Sequence, residues 1–132
     1  MSLVLGYLAG FDWKSIEYVP DIYFEDDGYY WHLHDVFAEL HRATGQYIDL
    51  YGTAAFADTQ IETLQSALLD ARNAAIQQPD SWDVHVGNQT HPVKQPLYRT
   101  VNRDTLVSLI NGVLDAATIA RERDLTLAFW GD

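Results

Sequence analysis

Apolar residues along this 132-residue chain recur at two different periods, and the switching between those periods restricts the fold more than any other feature. Tyr30, Leu33, Phe37, Leu40 and Thr44 fall at three- and four-residue steps, the spacing of one helical face. Asp27 stands where an N-cap belongs and Gly45 at the exit, giving a helix of about four turns. Thr59-Gln60-Ile61-Glu62 matches a capping box, in which the threonine hydroxyl and the glutamate each satisfy a free amide. Ile61, Leu64, Leu68, Ala71 and Ala75 follow on one face, and Pro79 ends the run. A third helix starts from Asn102 or Asp104, turns Leu106, Ile110, Val113, Ala117 and Ala120 inward, and carries Arg121 and Arg123 at its cation-favouring end.

Between these runs the period drops to two. Residues 3–24, broken by Gly6, Gly10 and Pro20, read as one or two strands with loops. Trp82–Gly87 alternates as a half-buried strand, Asn88–Pro96 as a polar loop, and Leu97–Val101 as a second strand paired with the first. Leu125–Trp130 reads as a strand that follows the third helix. Gln46–Gly52 alternates but is short, and the pattern leaves strand and helix both open. Paired strands mixed with helices, without strict β-α-β repetition, predict an α+β fold. The expectation is three helices packed on a three- to five-stranded antiparallel or mixed sheet, in a single domain spanning 1–132.

Composition bounds the function. A chain with 48% hydrophobic and 13% aromatic residues can bury a core of its own. The absence of cysteine excludes disulfides, thiolate metal sites and a cysteine nucleophile. The net charge of −11 disfavours nucleic acid and anionic membrane and favours a basic protein partner. It is also uneven: residues 1–60 hold ten acids against Lys14 and Arg42. No stretch approaches the ~20 apolar residues of a membrane span. The first residues lack the basic segment of a signal peptide, so a cytoplasmic location is expected. Neither GxGxxG nor GxxxxGK[ST] occurs, and no cofactor is expected.

The segment Asp26-Asp27-Gly28-Tyr29-Tyr30-Trp31-His32-Leu33-His34-Asp35 concentrates chemistry. On a helix, residues two apart point about 200° apart, so His32 and His34 cannot share an ion. His34 and His41 share a face, but seven residues put them ~10 Å apart, too far for one zinc. His85, on the polar face of its strand, and His91, in a loop, read as surface histidines. No metal site is therefore expected. GxSxG and HExxH are absent, and Asp35 and Glu39, one turn apart, compete with an ordinary Glu39–Arg42 ion pair. The aromatics carry more. Tyr29, Tyr30 and Trp31 are consecutive, and three consecutive helical positions cannot all face one core. At least one must be exposed or sit in a cleft. Tyrosine and tryptophan ringed by carboxylates suit the gripping of a basic protein. Glu25, Asp26, Asp27, Tyr29, Trp31 and Asp35 are the candidate partner-binding residues.

A small acidic chain with no cysteine and no catalytic motif, bearing this segment and a terminal strand ending in "FWGD", resembles the bacterial toxin-immunity proteins. The resemblance implies a non-enzymatic protein-binding module that neutralises a basic toxin. Two other readings stand beside it. One is a small-ligand-binding domain or enzyme, which requires a deep pocket joining His34, Asp35 and His85. The other is a homo-oligomeric assembly subunit, a homodimer formed through exposed aromatics.

Overall fold

The computed structural model describes residues 2–131, so Met1 and the Asp132 of the "FWGD" end lie outside the described residues. Residues 3–24 form two strands, β1 (Leu3–Ala9) and β2 (Asp12–Phe24), joined by a tight turn with Gly10 at φ 60°. Helix α1 (Gly28–Thr44) leads to β3 (Thr53–Phe56) and α2 (Thr59–Ile76). A hairpin of β4 (Ser81–Gln89) and β5 (Gln95–Asn102) runs directly into α3 (Arg103–Glu122), and β6 (Thr126–Gly131) follows. The four-stranded sheet is antiparallel throughout in the order β2-β1-β6-β3. The fold is α+β, as the change of period predicts. β4 and β5 form a separate two-stranded sheet.

Alternation builds the core. Leu3, Leu5 and Tyr7 of β1, Phe56 of β3, and Leu127 and Phe129 of β6 turn to one side of the sheet. There they meet Tyr30, Leu33, Phe37 and Leu40 of α1 and the apolar stripes of α2 and α3. Each fully buried leucine or phenylalanine contributes roughly 1.5–3 kcal/mol of transfer free energy. Phe24, Tyr30 and Phe37 pack edge-on and tilted at 5.4–6.5 Å, locking the start of α1 against the end of β2.

The helix ends agree with the sequence twice and differ once. The Asp27 carboxylate accepts from the amides of Tyr29 (2.9 Å) and Tyr30 (3.4 Å), and Gly45 closes α1 in the left-handed region. Asn102 caps α3 by accepting from the Thr105 amide at 3.0 Å. The capping box expected at Thr59 and Glu62 is not made. Asp58, at φ 52°, is the residue before the helix, and its side chain caps nothing. The back-reaching half of such a box is shifted upstream: Gln60 Oε1 accepts from the Ala57 amide at 3.3 Å, while Gln60 Nε2 donates to the Thr44 carbonyl at 3.2 Å. Glu62 instead takes Arg121 of α3 at 3.0 Å, tying the two helices together.

Residues 46–52 are neither strand nor helix. Their polar groups are satisfied individually: Tyr30 Oη donates to the Ile48 carbonyl, Gln46 Oε1 accepts from the Ala55 amide, and the Gly52 carbonyl takes the Gly131 amide. The alternation there records Ile48 and Leu50 reaching the core, without any strand pairing. The expected polar loop 88–96 also shrinks, because the β4–β5 ladder continues to Gln89 and Gln95.

Candidate functional site

Three elements converge on one concave surface. The end of β2 supplies Asp21, Tyr23 and Glu25, the start of α1 supplies Asp27 and Tyr29, and the first turns of α3 supply Asp104 and Leu109. They line a cleft of about 550 Å³. A second hollow of about 470 Å³ shares Ile22, Asp104 and Ser108 with it and extends along α3 to Asn111 and Asp115. Together the two make a trough lined by five carboxylates, and no lysine, arginine or histidine lines either part.

Local sequence explains how the walls meet. The β1–β2 register jumps between Val4 and Gly6, where β2 accommodates extra residues that include Pro20 and Asp21. Asp21 sits at φ 65°, a region that aspartate tolerates better than most residues. Beyond it Ile22 lies against α3 at Gly112, where a Cβ would stand 2.2 Å from Ile22 Cδ1. On the other side Gly28 lets β5 approach α1, since a Cβ there would lie 2.6 Å from Val101 Cγ2. The Tyr29 hydroxyl then accepts from the Asn102 amide at 3.2 Å, fixing the first turn of α1 beside the start of α3.

The electrostatics of the trough are one-signed. Asp104 pairs with Arg103 at 3.4 Å, but Arg103 is shared with Asp80 at 3.1 Å. Among the described residues, Asp21, Glu25, Asp27 and Asp115 have no salt bridge to any base of the chain. Burial pushes the Asp27 carboxyl up from its ordinary value; the Tyr30 and Tyr29 amides oppose that, and the charges of Glu25 and Asp26 add to it. A cation entering the trough would relieve this repulsion.

Of the six residues picked from sequence, the fold gathers Glu25, Asp27 and Tyr29 in the trough. Tyr30 is fully buried, so Tyr29 is the aromatic that the cleft takes. Asp26 accepts from the Trp31 indole at 2.6 Å, and Trp31 packs edge-on against Tyr30 at 5.2 Å, so this pair is engaged within its own chain. Asp35 is exposed two turns further along α1 and does not line the trough. Sequence reading missed Asp104 and Asp115, which lie eighty residues from the acidic segment. Their only local signal is a spacing of eleven along α3.

The histidines have separate partners. His32 packs edge-on against Trp82, and burial lowers its pKa while nearby Asp35 opposes this. His34 bonds the Tyr47 hydroxyl at 2.8 Å, and His41 stacks on the same ring at 5.2 Å. His85 meets Asn88 and Tyr98 on the hairpin. Among the described residues no group of three or more histidines and carboxylates could hold a metal ion. Glu39 and Arg42 make the ordinary ion pair. Also among the described residues, no helix is long and apolar enough to cross a membrane.

A second aromatic group occupies the sheet face away from the helices. There Trp130 stacks with Tyr18 and meets Trp13 edge-on, both at 6.4 Å, with Trp130 and Tyr18 left exposed. No protein-family model matches this chain, and neither a curated protein nor a solved structure does.

Proposed function

We propose that this chain is a non-enzymatic binding module of immunity or inhibitor type, which holds a cationic segment of a basic protein in the trough. The observation that carries the reading is a concave surface lined by Asp21, Glu25, Asp27, Asp104 and Asp115 without a single lining cation. Carboxylates spaced along a trough match lysine and arginine side chains presented in a row, and such surfaces speed encounter with basic proteins. Tyr29, held by Asn102, offers a rigid ring against the aliphatic stem or the charge of an incoming side chain.

Co-expression with the products of neighbouring genes tests the reading. A basic partner should be captured by the wild type and lost with Asp21→Lys and Glu25→Lys, and cells carrying a toxic partner should survive only with the wild type. Capture that persists in the lysine variants would place the contact elsewhere.

A further inference from the structure

The two sheets of this fold end in the edges of β2, β3, β4 and β5. Strand edges carry unpaired amides and carbonyls that recruit further strands unless something blocks them. Three of the edges are blocked. On β3 the outward Ala55 amide is taken by Gln46 at 2.9 Å, and the Ala57 amide just beyond it by Gln60 at 3.3 Å. β2 carries Lys14 and Pro20 and slips register twice against β1. β5 carries Pro96, which has no amide to offer, and its Asn102 amide is held by the Tyr29 hydroxyl. β4 has neither proline nor lysine. Its ladder shows which of its groups face out. The Arg103 amide bonds the Asp80 carbonyl at 2.9 Å, one step beyond the Ser81–Asn102 pair. Bonding alternates along an antiparallel ladder, so Trp82 and Val84 bond β5 while Ser81, Asp83 and His85 turn their amides and carbonyls outward. The Asn102 amide agrees, pointing away from its partner Ser81. Among the described residues no hydrogen bond reaches these outward groups, and all three residues are exposed.

We infer that the β4 edge pairs with the β4 edge of a second copy of the chain, antiparallel about a two-fold axis, so that two ribbons join into one sheet in the order β5-β4-β4-β5. The sequence of the strand selects a second copy. Val86 is an extra residue between the paired His85 and Gly87, so the regular edge ends at His85. Outward residues must oppose outward residues, which leaves few registers. Centring the pair on Asp83 sets that carboxylate against its own copy, and like charges directly opposite are destabilising. Centring it on Val84 sets Asp83 against the other copy's His85, a carboxylate across from an imidazole, and the two-fold axis makes this contact twice. Each such pair exchanges two backbone bonds. On the opposite side of the ribbon, half-buried Val84 meets its own copy at the axis with half-buried Trp82 diagonal to it, so the apolar sides also match. Registers centred nearer either end oppose fewer of these residues. The contact closes on itself and leaves no β4 edge free. A ribbon of two strands is marginal in water, and the pairing gives it the further strands it lacks. None of this uses the trough, so the inference stands or falls apart from the proposed function.

Charge exchange and single cysteines test the pairing and its register with the full chain alone. Sedimentation velocity at about 100 μM, well above a micromolar Kd, should give twice the 15.0 kDa mass of one copy. His85→Glu opposes two carboxylates at both contacts and should raise the Kd of the pair at least about tenfold. Adding Asp83→Lys to it should restore pairing, because lysine then faces glutamate twice. Both positions are exposed, and circular dichroism confirms that each variant is folded. The chain has no cysteine, so one introduced thiol can oxidise only with its copy. Val84→Cys should yield a disulfide-linked dimer under mild oxidation, because a narrow pair on the axis brings the Cα atoms to about 4.5 Å, within disulfide reach. Asp83→Cys should stay largely monomeric, since its copy lies past the ~7 Å limit. A wild type that stays monomeric overturns the inference and leaves the edge to a strand of a different protein. So does a His85→Glu variant that pairs like the wild type, or a double variant that stays monomeric. Crosslinking of Asp83→Cys that equals that of Val84→Cys overturns it as well.

Discussion

Asp27 answers two opposed demands. As the cap of α1 it serves best ionised, accepting from two amides, while its burial among carboxylates favours the protonated form. Its folded pKa lies above 3.8, so the stability linked to its proton is present below 3.8 and lost as pH rises through the folded value. Asn caps as well as Asp and carries no charge. Asp27→Asn should therefore match or exceed the wild type in urea midpoint at pH 7, whereas Asp27→Ala should cost about 1 kcal/mol. A destabilised asparagine variant would show that the charge itself is required. His32 works in the opposite direction. Its folded pKa lies below 6.5, so its contribution is complete above 6.5 and lost as pH falls through the folded value. Between pH 7.5 and 5 the wild type should lose stability that His32→Phe retains. Equal pH slopes would contradict the burial of the ring against Trp82.

At the scale of elements, pattern was readable where it repeats and unreadable where one residue decides. Five consecutive inward positions located each helix, because several apolar residues must agree before the face is wrong. The cap of α2 had no such redundancy. Thr59 and Glu62 satisfy the box in sequence, but Asp58 takes a positive φ and the Gln60 side chain reaches back to the Ala57 amide instead. Thr59→Ala should change stability by less than about 0.5 kcal/mol, while Gln60→Ala, which strands the Ala57 amide and the Thr44 carbonyl, should cost about 1 kcal/mol or more. Chemical denaturation of both variants checks this, and the reverse order would restore the capping box. The alternation of 46–52 left strand and helix both open for a related reason, since Ile48 and Leu50 face the core from a segment that is neither. Glu25, Asp27 and Tyr29 were legible because they are neighbours in the chain. Asp104 and Asp115 joined them only through the packing of β2 on α3 at Gly112, which no local pattern announces.

For the whole molecule, acidity is arranged and not merely abundant. Five carboxylates line one trough, while the twenty residues 84–103 contain no acid at all. The central claim is that position in the trough, and not total charge, binds a cationic partner. Calorimetric titration of a decalysine peptide at low salt tests it against a matched control. Asp21→Asn, Glu25→Gln and Asp104→Asn together remove three charges from the trough; Asp35→Asn, Glu39→Gln and Asp70→Asn, at exposed helix positions, remove three from outside it. The trough variant should bind at least about tenfold more weakly than the wild type, a difference of about 1.4 kcal/mol, and the control should stay within about twofold. Equal losses in the two variants, or a wild type that does not bind the peptide, would contradict the account.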